Sequence, residues 1–218
     1  MKWLGLVAVL LAAGAAQAAD MTVLRYVDQD PGDPPYLTRI FVTPVFMRMD
    51  DGRDDGDFVL LDRRAKKVIN VMRGNGLAMV FSPGALPARP AGWQPALDVQ
   101  PGAPGTRRFQ LSVNGVVCSE GVAAERAAPD AARALAEFKA VLAVTQYRVW
   151  KDSPPEIQHA CDLANQVWES GATLGLGLPL EEREFTGRSR RLESEAKEPM
   201  RPELFRIPEN TPEIAAPS

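Results

Sequence analysis

The sequence predicts an α+β protein: a curved antiparallel β-sheet, or half-barrel, wrapped around two helices. Three observations carry this expectation. Five or more short β-rich runs occupy the early part and the end of the chain, two amphipathic helical stripes fall before the final hairpin, and the strand-like runs alternate apolar with polar residues. A curved sheet whose concave side is covered by the helices satisfies all three. The composition, 45% apolar and 24% charged over 218 residues, is that of an ordinary globular domain.

Met1 to Ala18 read as a secretory leader. Lys2 supplies the positive start, Trp3 to Ala13 the apolar stretch, and Ala16-Gln17-Ala18 the small-x-small site that predicts cleavage before Ala19. The apolar run is shorter than the roughly 20 residues that cross a bilayer, and no later segment is long enough. No cysteine follows the cut, so no lipid anchor is indicated. Losing Lys2 with the leader leaves 24 basic against 28 acidic side chains, a net charge of -4 that argues against nucleic acid as a partner. The expectation is a periplasmic protein with one domain over 19–218 and no transmembrane segment in its mature form.

Val23 to Val27 and Leu37 to Met49 are extended in character, with Pro44 interrupting the ladder or sitting on an edge. Phe58 to Leu61, Val68 to Met72 and Leu77 to Phe81 form a meander, because Asp62 to Lys67 and Gly74-Asn75-Gly76 are turn chemistry. Six prolines and four glycines between Ser82 and Gly105 predict a long loop at 82–105 without regular structure, in which Trp93 is either an anchor or a ligand contact. Phe109, Leu111 and Val113 alternate with Gln110, Ser112 and Asn114, a half-buried strand.

After Pro129-Asp130, the residues Leu135, Phe138, Leu142, Thr145 and Val149 mark one face of a helix of roughly 20 residues. Ile157, Cys161, Ala164 and Trp168 mark a second helix. Leu178 to Phe185 and Arg188 to Ala196 then read as a hairpin around Thr186-Gly187, with Glu182 opposite Arg191. The Glu181, Glu182 and Glu184 group is expected to be a solvated face rather than paired catalytic carboxylates.

Cys118 and Cys161 are even in number, and in an oxidising compartment they predict a disulfide, the alternative being two buried free thiols. His159, the single histidine, lies two residues before Cys161, a spacing that separates the two side chains around a helix. Asp50, Asp51, Asp54, Asp55 and Asp57 resemble a calcium loop but fail its register, with Arg53 at the third position and Asp62 at the twelfth, so a charged turn is expected. No phosphate loop, nucleophile elbow or His-metal motif is present, and no catalytic residue, metal or cofactor is assigned.

The run Thr38 to Asp50, then Phe58 to Arg63 and Lys67 to Val71, is similar to the early strands of the LolA-like periplasmic lipoprotein carrier superfamily. Gly177 to Glu195 and the close Pro202-Glu203-Leu204-Phe205-Arg206-Ile207-Pro208 resemble its last strands. These stretches cover about half of the mature chain. The resemblance implies an incomplete β-barrel around helices with an apolar cavity that holds acyl chains. In the carriers' strand motif, an Arg and a Phe matter for lipoprotein handling; Thr43 and Met47 stand in their places, while Pro44 and Arg48 are kept.

Two classes of function follow. A non-enzymatic binding protein would take a lipid or other hydrophobic ligand in a cavity lined by Phe41, Phe46, Met47, Met49, Phe58 and Leu60, since flexible Met side chains suit loosely shaped ligands. The same six residues fit a plain filled core equally well. The alternative is a structural or adaptor protein of the envelope that meets a protein partner through its Pro-rich loop or its charged C-terminal hairpin.

Overall fold

The structure, a computed structural model, describes residues 20–216. The leader reading of Met1 to Ala18 lies outside the described residues. Six strands run as a meander: β1 (Asp20–Gln29), β2 (Tyr36–Val42), β3 (Phe46–Asp50), β4 (Phe58–Asp62), β5 (Lys67–Met72) and β6 (Leu77–Phe81). A second group, β7 (Pro95–Pro101), β8 (Thr106–Val113) and β9 (Val116–Ala124), precedes helix α1 (Pro129–Asp152) and the short α2 (Ala160–Leu163), which continues as a π turn to Trp168. β10 (Leu178–Glu184), β11 (Ser189–Pro199) and β12 (Glu213–Ala215) complete the chain. All twelve join one curved, unclosed sheet in the order β12-β6-β5-β4-β3-β2-β1-β11-β10-β9-β8-β7. The long β1–β11 ladder welds the two meanders together.

α1 covers one face of the sheet, here the inner face. Ala131, Ala134, Leu135 and Val141 pack on Leu24, Ile40, Val42, Met47, Leu61 and Val68. The outer face over β1 to β6 carries a second core, in which Met21, Val23, Phe41, Phe58, Leu60, Val71 and Ala78 meet Leu204 and Phe205 of the 3₁₀ turn Pro202–Phe205. A third core joins Leu111, Val113 and the half-buried Trp93 and Leu97 to the Cys118–Cys161 disulfide, whose Cα atoms are 4.8 Å apart. The bridge fastens α2 to β9.

Several expectations need correction. The 82–105 segment is not wholly irregular, because β7 lies inside it at the sheet edge. Pro95 and Pro101 are tolerated there because they sit one residue off the positions that hydrogen-bond to β8, as the Asn114 N–H to Gln94 O bond sets the phase. The remainder is pinned. Trp93 Nε1 donates to Glu169 Oε1 (3.2 Å) and its ring meets Trp168 edge-on at 4.8 Å. Trp168 Nε1 in turn donates to Pro87 O (3.2 Å).

The α1 stripe holds for Leu135, Phe138 and Leu142, then drifts. Val149 is exposed, while Val144 approaches Gly84 and Tyr147 approaches Trp168. Ile157 is also exposed, since Pro155–Ile157 is an isolated 3₁₀ turn and the helix begins only at Ala160. His159 caps that helix: its Nδ1 accepts the Cys161 N–H (3.1 Å) and its ring stacks on Phe185 at 4.3 Å.

The final hairpin pairs Glu182 with Arg190 and Glu181 with Arg191, one residue off the expected register. Its turn holds three residues rather than two. The Glu184 N–H donates to Arg188 O and the Gly187 N–H to Glu184 O, with Gly187 at φ +89° supplying the left-handed step. Gly121 serves closer approach instead: a Cβ there would lie 2.1 Å from Glu181 O.

Candidate functional site

Successive residues of a strand point to opposite faces, and this rule divides the six apolar candidates. Met47 and Met49 face α1, whereas Phe41, Phe46, Phe58 and Leu60 lie on the outer face. They do not line one cavity. The outer four are covered by the C-terminal segment, where Met200, Leu204, Phe205 and Ile207 pack and the Phe46 and Phe205 rings stack at 5.9 Å. Met47 is fully buried beneath α1. Met49 lines a cavity beside α1.

The outer core is locked by an ion network that the acidic run builds. Arg48, completely buried, donates to Asp50 Oδ2 (2.8 Å) and to Leu204 O (2.7 Å), and its guanidinium sits 4.2 Å over the Phe58 ring. Arg39 holds Asp50 and Asp54, and Arg201 reaches Asp54 (3.1 Å). Asp51 pairs with Arg53, and Asp57 accepts the Arg73 N–H (2.7 Å). The run is thus a charged turn that clamps the C-terminal segment. Thr43 is buried and caps the β2–β3 turn by accepting the Phe46 N–H (2.8 Å).

The cavity that Met49 enters is about 190 Å³ and lies between α1 and the β10–β11 hairpin on the inner face. Met49, Leu135 and Phe138 form its apolar floor; Lys139, Glu182, Glu184, Arg188, Ser189 and Arg190 form its walls. Glu182 and Glu184 alternate with outward-facing Glu181 and Arg183, so the hairpin brings two carboxylates inside and leaves one out. The sequence reading of all three glutamates as one solvated face missed that split. The detectable signal was the matching two-residue spacing of Glu182, Glu184, Arg188 and Arg190 on either side of the turn.

The charges in this pocket are unequally satisfied. Arg190 grips Asp28 through two bonds (2.7 and 2.8 Å), Thr38 donates to the same carboxylate (2.7 Å), and Arg190 lies 4.9 Å over the Tyr26 ring. Burial opposes ionisation of Asp28, yet the Arg190 and Thr38 interactions outweigh it and hold the carboxyl below its usual range. Burial pushes the Tyr26 phenol above its ordinary range, and its hydroxyl donates to Pro179 O (2.8 Å). Arg188 is shared with Asp30. Lys139 Nζ donates to Asn165 O (3.4 Å). Among the described residues Glu184 makes no hydrogen bond or ion pair, and its carboxyl is raised by burial first and by the neighbouring Glu182 second, against the opposing pull of Lys139, Arg188 and Arg190. The walls thus set Glu182 and Glu184 against Lys139, Arg188 and Arg190, with Arg190 engaged by Asp28 and Arg188 by Asp30, above an apolar floor.

A larger depression of about 960 Å³ lies on the outer face over β7 to β11 and the end of β1. Its exposed side chains include Asp98, Arg108, Glu120, Glu181, Arg183 and Arg191, three acids and three bases. It is a wide trough of mixed character, with Val27, Val99 and Val122 between the charges.

Neither a protein-family model nor a curated protein matches the sequence. Two solved crystal forms of PNGF-II are similar at 12% and 10% identity, over 91% of this chain and 32% and 31% of theirs, with TM-scores of 0.39 and 0.38. This chain spans about a third of the length of those structures, a likeness too remote to transfer fold or function.

Proposed function

We propose that this is an exported, non-enzymatic binding protein of the periplasm. Its half-barrel sheet wraps the helices, and the pocket between α1 and the β10–β11 hairpin takes a small amphipathic ligand. The observation that supports this reading is the pairing of an apolar floor, Met49, Leu135 and Phe138, with the unpartnered Glu184 carboxylate. Such a site favours a ligand with one short apolar chain and a cationic head, because an amine compensates the charge that burial penalises. The cavity is too small for several acyl chains, so the hydrophobic ligand implied by the carrier resemblance is narrowed to a small amphiphile. The leader pattern and the Cys118–Cys161 bridge support export.

Titration with the fluorescent alkylamine dansylcadaverine tests the proposal. Saturable binding is expected, weakened about fivefold by Glu184→Gln, the ~1 kcal/mol that a partly exposed charge contributes. Phe138→Trp, which fills the floor, is expected to abolish it. Absence of binding by the unmodified protein would overturn the reading and favour an envelope adaptor, which the open trough of mixed charge and the β7 edge, unpaired among the described residues, support.

A further inference from the structure

Among the described residues, the one parallel pairing of the sheet is made by Glu213–Ala215. β12 lies along β6 with Glu213, Ile214 and Ala215 opposite Ala78, Met79 and Val80. The Ala78 N–H donates to Pro212 O (2.9 Å) and the Ala216 N–H to Val80 O (2.8 Å), and the parallel register directs both backbone groups of Ile214 to the same strand. Backbone bonding is nearly all that holds it. All three β12 residues are exposed, and among the described residues none of Pro212 to Ala216 makes a side-chain hydrogen bond or ion pair.

The strand beneath is a ready acceptor. β6 reads Leu-Ala-Met-Val-Phe, without charge or proline, the kind of edge that pairs with any extended chain that reaches it. The tail is also separable from the body. Leu204 and Phe205 are buried in the outer core and Leu204 O is held by Arg48, so residues up to about Pro208 stay fixed when the tail leaves.

We propose that the β6 edge is a peptide-binding site, built to take an extended segment of a partner protein as an added parallel strand, and that the chain's own tail occupies it in cis. The partner segment would be an extended stretch free of proline at the Ile214 position, since backbone bonds supply the affinity and the exposed Ile214 side chain shows that the edge makes few side-chain demands. The tethered tail competes at an effective concentration in the millimolar range, so the site opens only to a partner that displaces it. This site lies three strands from the pocket, with β5 and β4 between β6 and β3, and does not depend on the ligand reading.

The test uses a fluorescein-labelled peptide of residues 210–218, followed by anisotropy, with the full chain, a chain ending at Glu209, and full-length Ile214→Pro. The truncated chain and Ile214→Pro are expected to bind the peptide saturably, one per chain, and the unmodified chain at least tenfold more weakly. The same peptide carrying Pro at the Ile214 position is expected not to bind. Should both altered chains bind no better than the unmodified one, or pair with each other edge to edge without taking the peptide, the tail is only a protective cover and the proposal fails.

Discussion

The two halves of the sheet are built from similar strands but are covered differently. From β6 to β1 both faces are buried, the inner by α1 and the outer by the C-terminal segment, and β1 accordingly shows near-continuous burial from Met21 to Asp28. From β10 to β7 the outer face carries exposed charges while the inner face is covered, and β8 accordingly alternates buried Phe109, Leu111 and Val113 with the more open Arg108, Gln110 and Ser112. Burial on two faces demands runs of apolar side chains; burial on one demands alternation. The candidate pocket lies where the two regimes meet, at the seam of β1, β11 and β10, and there charged side chains turn inward.

The sharpest test of this contrast removes one arginine from each half. Arg48→Ala leaves Asp50 buried with a missing partner and frees Leu204 O, and a loss of about 3–5 kcal/mol in urea unfolding is expected. Arg183→Ala, on the open outer face of β10, is expected to change stability by no more than about 0.5 kcal/mol. Equal losses would break the comparison. The open half relies on a covalent tie, so the Cys118→Ala/Cys161→Ala double substitution is expected to lower stability by about 3–4 kcal/mol. Thiol labelling of the denatured, unreduced protein should find no free cysteine.

The seam should reveal itself in pH dependence. Asp28 has a folded pKa below its unfolded value, so its contribution is present above the ordinary Asp range near pH ~4 and is lost as pH falls through the depressed value. Asp28→Asn leaves Arg190 without its counter-ion, and a loss of about 2–3 kcal/mol at pH 7 is expected, shrinking as urea unfolding is repeated toward pH ~3. Glu184 has the opposite sign. Its raised carboxyl binds protons more readily in the folded protein, so its effect on stability is unfavourable as pH rises past the usual Glu value. Glu184→Gln is therefore expected to stabilise the ligand-free protein at pH 7, by on the order of 0.5 kcal/mol, with no effect below pH ~4.

Much of the framework was readable from residues near one another in the chain. The β4–β5–β6 meander followed from its turn residues, β8 from strict alternation, α1 from its stripe, and the disulfide from cysteine count and compartment. The failures share a cause. β7 was hidden because Pro95 and Pro101 are breakers everywhere except at unbonded positions of an edge, and edge status is a property of the whole sheet. The final hairpin slipped by one because a three-residue turn and a two-residue turn share the Thr-Gly signature.

The candidate site was the least readable part. Phe46, Met47, Phe58 and Leu60 were identifiable as apolar strand residues, but the alternation that marks them also parts them, and only the covering elements decide which face is a core. The amino-acid sequence by itself determined the local elements, the cysteine pair and the apolar identity of the interior, because those follow from propensities and periods within a few residues. Tertiary structure alone decided that the C-terminal segment seals the outer face, that Arg48 is a buried clamp, and that Glu182 and Glu184 turn inward beside Leu135 and Phe138. Each of those outcomes depends on segments far apart in the chain meeting across the sheet, where desolvation and charge pairing are set by partners that no local pattern names.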